Sequence, residues 1–351
     1  MKRLKIRESQ GIETVETLGA GCPFFVVDNY FAYYDPHRQA LVKLAPKSDP
    51  SIGNWPHSLL GEGKYILITR YLPGGKPKYL DPPENFRLAL RNLLTGEVTD
   101  LPKTLPYNPQ YRYAFTTDMR YCFYRKIWAD DPNHPIFNPP SALGHNFGEI
   151  YRSLRNNTDV HTGLYRCDLA TGETEELFKV DGTDIAHTPA LSINPQGTTA
   201  IVKIPIIKHD PPTVAHIQYD VTNRKIVRVL DDYYLKTSTG WNAEGTKCTF
   251  EETRRWTMRI LDFAENIVEG RDLNKGLHEP GSGAQDGAMF VHGIANDGRV
   301  YASGEKGKTL IIQLIDIKTG EREELFRITS EEIKYATFAQ NTKDFYLKPA
   351  D

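Results

Sequence analysis

The chain has 351 residues, 39% of them hydrophobic, and its 43 Lys and Arg against 45 Asp and Glu leave a formal net charge of −2. That balance provides no global basic field, so nucleic acid is excluded as a partner class. The N-terminal "MKRLKIRESQGIETVETLGAG" carries basic residues with no apolar run behind them, so neither a secretory signal nor a membrane anchor is expected, and the expected localisation is cytoplasmic.

In chain order, six segments share one pattern: "NYFAYYDPHRQALVKLA" (29–45), "FRLALRNLLTGEVTDLP" (86–102), "TGLYRCDLATGETEELF" (162–178), "VAHIQYDVTNRKIVRVL" (214–230), "WTMRILDFAENIVEGRD" (256–272) and "LIIQLIDIKTGEREELF" (310–326). Each alternates apolar and polar residues, breaks at a polar or glycine turn, and resumes alternating, which predicts a β-hairpin. Asp35, Asn92, Asp168, Asp220, Asp262 and Asp316 hold the same place before the turn. A second motif accompanies the first: "HSLLGEGKYILITR", "YAFTTDMRYCFYRK", "ALSINPQGTTAIVKI", "STGWNAEGTKCTFEE", "VHGIANDGRVYAS" and, at the C-terminus, "YATFAQNTKDFYLKP". Two hairpins per unit make a four-stranded sheet, the size of a propeller blade.

The last pair has no hairpin after it, and the hairpin at 29–45 has no complete pair before it. The two chain ends are therefore expected to complete one blade together and close the ring. The expectation is an all-β chain: a single β-propeller domain over 1–351 with six four-stranded blades, and a seventh left open by "PFFVV" (23–27). An insertion at 129–162 is too long for a plain connection and reads as a lid, with a short helix expected in "FGEIYRSLRNN".

The short turns fall on one face of such a ring, and the long irregular segments at 71–85, 129–162, 205–213, 231–238 and 274–289 fall on the other. Loops that carry no repeat are where function tends to be placed. Innermost strands are expected to start there with Trp55 and His57, Arg112, His187 and His292. Second strands are expected to end nearby with Arg70, Arg125, Lys203, Glu251 and Arg254. His145, Tyr151 and Arg152 join them if the insertion folds inward. His187, His292, His145 and Tyr151 are the candidate proton-transfer groups, and the others are candidate substrate ligands. Arg254 is of the type that forks onto a carboxylate. Trp55 and Trp241 suit either stacking on a sugar ring or a place in the core. His37 and His161 read as solvated, and His216 has a weak claim.

There is no Gly-x-Ser-x-Gly elbow, phosphate or dinucleotide glycine loop, or close-spaced His or Cys metal motif. Cys22, Cys122, Cys167 and Cys248 are isolated, and three of them read as small buried residues in strands.

The repeats resemble the TolB-type, or PD40, propellers, whose blades carry a Ser-Pro-Asp-Gly turn and later Asp-x-x-Thr-Gly-Glu. Asn194 to Gly197 and Asn296 to Gly298 are the nearest matches to the first turn. "CTFEETRRWTMRILDF", followed by Gln285 and His292, is distantly similar to oligogalacturonate lyase propellers. That resemblance implies β-elimination on a small acidic, uronate-containing saccharide. It also implies a divalent metal, for which His187, His292 and Gln285 are the matching positions. The chain departs from that family at Glu251, near where the family has a histidine, and in lacking paired histidines after the glutamine, so a metal-free variant stays open beside the metal-bound one. The TolB resemblance implies instead a non-catalytic module that binds a protein or peptide on its loop face. An enzyme of specialised metabolism using the same pocket is a third reading. The sequence sets no oligomeric state.

Overall fold

The computed structural model describes residues 5–8, 24–27, 30–35, 40–46, 59–60, 65–71, 86–92, 95–107, 112–131, 159–182, 191–206, 213–230, 240–252, 257–263, 267–272, 289–295, 297–306, 309–329, 335–338 and 344–348. Among them the chain is all-β, with no helix and several antiparallel sheets. Two compact units divide it: Pro102–Thr237, and Met1–Leu101 together with Ser238–Asp351.

Pro102–Thr237 holds two four-stranded antiparallel sheets. The first runs β9 (Arg112–Phe115), β10 (Tyr121–Ala129), β11 (Val160–Asp168) and β12 (Thr174–Asp181). The second runs β13 (Leu191–Ile193), β14 (Thr199–Ile206), β15 (Thr213–Asp220) and β16 (Lys225–Val229). Alternation gives each strand one apolar face, and the facing sides of the two sheets share a core of Phe123, Leu164, Leu191, Val202, Ile217 and Tyr219. Each such side chain contributes about 1.5–3 kcal/mol when fully removed from water. Tyr219 sends its hydroxyl across to the Leu177 carbonyl at 2.8 Å.

The other unit holds β5 (Leu59–Leu60), β6 (Tyr65–Tyr71), β7 (Phe86–Asn92) and β8 (Val98–Asp100) as one sheet. A second comprises β17 (Lys247–Glu252), β18 (Thr257–Asp262) and β19 (Ile267–Asp272). A third comprises β20 (Met289–Ile294), β21 (Val300–Lys306), β22 (Thr309–Ile315) and β23 (Arg322–Thr329). Ile260 of β18 packs with Ile294, Val300, Ala302, Ile315 and Ile317, joining the second sheet to the third. In the second sheet, among the described residues, the expected innermost strand is represented by one bridge, Trp241 to Cys248. Trp241 is buried and stacks on Phe263 at 5.0 Å, so of its two readings the core one holds.

The chain ends share a further sheet in the order β1 (Lys5–Glu8), β4 (Ala40–Pro46), β3 (Tyr30–Asp35), β2 (Phe24–Val27), β25 (Asp344–Lys348), β24 (Tyr335–Phe338). The C-terminal hairpin does not meet the 29–45 hairpin directly. β2 stands between them and pairs with β25 in parallel. "PFFVV" thus supplies a strand of this sheet.

The repeated aspartate has a local explanation. Asp168 Oδ1 accepts the N–H groups of Ala170 and Thr171, while the Gly172 N–H bonds the Asp168 carbonyl. Asp316 does the same for Lys318, Thr319 and Gly320. Asn92 offers its amide oxygen to Thr95. An Asp or Asn side chain that caps its own turn replaces backbone partners the hairpin leaves open. The other turn works through Asn194, which accepts Thr198 and Thr199, and through Asn242, which accepts Thr246 and Lys247. Gly197 and Gly245 follow at φ 75° and 68°, where a side chain would be strained.

Candidate functional site

Register, more than spacing in the sequence, fixes which second-strand residues are equivalent. Tyr65 pairs with Asn92, Tyr121 with Asp168, Thr199 with Asp220 and Lys247 with Asp262, so these four start their strands opposite the turn residue. Four residues further along each strand stand Thr69, Arg125, Lys203 and Glu251. Three of the four are ionisable side chains at one station of three different sheets. Arg125 is 0% exposed, and Lys203 is 6% exposed. Cations this deep are retained only when surrounding polar groups or a ligand replace their water.

Arg70 lies one residue past that station, which corrects its grouping with the others. A one-residue step in a strand turns the side chain to the opposite face. Its guanidinium bonds Asp100 at 2.8 Å with both groups near half exposure, which is a surface ion pair of little energetic weight.

Around Arg125 the sheet is strongly aromatic. On the face opposite Arg125, Tyr124 stacks on Tyr165 at 5.4 Å, and Trp128 meets Tyr165 edge-on at 5.9 Å. Lys126 Nζ lies over both the Trp128 and Tyr165 rings. Gly163 opposes Lys126 in the register, and a Cβ there would stand 3.0 Å from the Trp128 ring and from the Phe178 carbonyl, so only glycine lets the indole lie down on the strand. Burial, with the thiols Cys167 and Cys122 beside it, pushes the Tyr124 phenol up to about 12.

His161 is not the solvated residue its sequence suggests. It is 4% exposed, with Nδ1 2.9 Å from Asp181 and Nε2 3.1 Å from Asp130, and its ring lies 5.3 Å from Trp128. The Asp130 N–H donates to the Asp159 carbonyl at 3.0 Å, and Ala129 pairs with Val160. The insertion is therefore narrower than 129–162: Ala129 and Val160 to Thr162 are ladder residues, and His161 clasps its neck. The sequence signal was the pairing partner Asp181, reached only through the hairpin. His216 is also buried, directly across from Lys203.

Among the remaining candidates, Trp55, His57, His145, Tyr151, Arg152, His187, Arg254 and Gln285 lie outside the described residues. Arg112, Glu251 and His292 are described in the backbone only. Arg112 pairs with Arg125, and His292 sits at the bulge where β20 slips between Val291 and Gly293. Among the described residues, no three His, Cys, Asp or Glu side chains are grouped to hold a metal ion, and no helix is long and apolar enough to cross a membrane. Cys122, Cys167 and Cys248 are buried thiols, as expected of small core residues.

No protein-family model and no curated protein matches the chain. Among solved structures it is similar to TolB from Acinetobacter baumannii, at 17% identity and a TM-score of 0.43, covering 75% of this chain and 52% of that one. An oligogalacturonate lyase in complex with manganese matches at 12% identity and a TM-score of 0.45, covering 89% and 73%. A putative TolB from Agrobacterium tumefaciens matches at 12% identity and 0.46, covering 84% and 87%. The chain is thus similar to TolB-type propellers and distantly to oligogalacturonate lyases. It spans about half the length of the Acinetobacter protein. Likenesses this distant assign no activity and no residue.

Proposed function

We propose that the chain is a single propeller of six blades, closed by its terminal strands, that performs β-elimination on a small uronate-containing saccharide. The observation that carries this is the common station of Arg125 and Lys203, buried cations on two sheets of one compact unit that share a core. Buried cations at matching stations suit an acidic ligand, whose carboxylate such groups can bind.

The reaction needs three things. A cation neutralises the uronate carboxylate and so acidifies the neighbouring proton. A base removes that proton as the carbon–carbon double bond forms. An acid protonates the oxygen of the departing sugar as its carbon–oxygen bond breaks. In this proposal Arg254, Arg125 and Lys203 neutralise charge, with Arg112 and Arg152 further out and Trp55 and His57 at the sugar rings. His187 and His292 transfer protons, with His145 and Tyr151 contributed from the insertion as a lid. In the alternative, metal-bound variant His187 and His292, with Gln285, would instead hold a divalent metal that supplies charge neutralisation, and proton transfer would fall to His145 and Tyr151.

Incubation with oligouronides, followed through the ultraviolet absorbance of the conjugated unsaturated product, tests this directly. His187→Ala and His292→Gln are expected to lower turnover by about 10²- to 10⁴-fold with the melting temperature unchanged. Absence of product from every uronide tried would favour the second reading, a peptide-binding module, which rests on the likeness to TolB-type propellers.

A further inference from the structure

The outermost strand β16 departs from its counterparts. In β12 the ladder slips at Leu177, which is 7% exposed and whose carbonyl receives the Tyr219 hydroxyl. In β16 the ladder slips at Val227 in the same way, yet Ile226, Val227 and Val229 are 47%, 49% and 45% exposed. β16 is the edge of its sheet. Leu230 donates its N–H inward to the His216 carbonyl at 2.7 Å, so alternation turns the N–H and C=O of Val229 outward.

The charge is one-sided as well. Residues 221–230 carry Arg224, Lys225 and Arg228 and no carboxylate, with Asp220 facing Lys225 across the ladder, whereas the β12 segment carries Glu173, Glu175, Glu176 and Asp181 against Lys179. Arg224 is anchored on Glu175 and Arg228 on Gln218, which holds the strand in place, and both Arg224 and Lys225 remain exposed.

We propose that β16 is a docking strand for an extended acidic segment of a protein partner, in which Glu or Asp alternates with Val or Ile. Such a segment would add to the sheet by main-chain hydrogen bonds, cover the three apolar side chains, and set carboxylates against the cations. A second copy of this chain fits the edge less well, because pairing β16 with itself brings together two strands that each carry Lys225 and Arg228 and no carboxylate of their own.

The test uses the full chain and a fluorescein-labelled peptide of alternating glutamate and valine, read by fluorescence anisotropy. Binding is expected, with hydrogen exchange slowed at 225–229, and the lysine-for-glutamate peptide should bind at least about tenfold more weakly. Val229→Pro removes one outward N–H, and Lys225→Glu reverses a charge on an exposed side chain. Each is expected to weaken binding about tenfold. No binding, equal binding of both peptides, unchanged binding by Lys225→Glu, or exchange protection confined elsewhere would overturn the proposal. Self-association at this edge that is lost in the same variants would overturn it too, in favour of a second copy.

Discussion

Asp316 illustrates what the repeated aspartate contributes. Its carboxyl is held below the usual carboxylate range first by the Thr319 N–H, and Asp220 is lowered likewise, first by the Asn223 side chain. A group whose folded pKa is depressed adds stability that is present above the unfolded value of about 4 and disappears as pH falls through the folded value. Asp316→Asn keeps the acceptor oxygen without the charge, as Asn92 does naturally. Wild type is therefore expected to melt above this variant at neutral pH, with the gap closing as pH drops below about 4. A gap that stays constant across that range would contradict the turn-capping role. Two glycines separate backbone strain from crowding. Gly298 at φ 87° faces open space, whereas a Cβ on Gly197 at φ 75° would stand 2.7 Å from Thr116 Cγ2. Gly298→Ala is expected to cost about 1 kcal/mol, and Gly197→Ala roughly 1–3 kcal/mol more, as read from denaturant midpoints.

At the level of elements, the hairpins were legible because alternation and the Asp-to-Gly spacing act locally. The interposed strand β2 was not, since "FFVV" is a short apolar run with no period and its partner β25 lies at the far end of the chain. Arg125, Lys203 and Glu251 were found as second-strand residues, but only the ladder shows that they share a station and that Arg70 misses it by one pleat. His161 escaped notice because its burial comes from Asp130 and Asp181, one on each neighbouring strand end. His161→Ala removes both bonds from a buried ring and is expected to cost about 1–3 kcal/mol. Hydrogen exchange should accelerate first at 129–130 and 160–162 rather than across the whole sheet.

For the whole molecule, both termini belong to one compact unit and meet through β2 and β25. Deleting 335–351 strips β2 of its neighbour and leaves an open edge. If the ring closes as proposed, the truncated chain loses cooperative melting rather than two strands alone. A melt within a few degrees of the full chain would count against closure.

The buried thiols give this chain an internal clock. Burial drives the Cys122 thiol well above its ordinary range, with Cys167 opposite it in the ladder, while Cys248 is shielded in the other unit. An alkylating reagent consumes thiolate, so none of the three should be labelled until its own sheet opens. With Cys22 replaced by serine, timed labelling and peptide mapping would rank the two units by how often each breathes. Cys122 and Cys167 should be modified together, and Cys248 at a rate of its own.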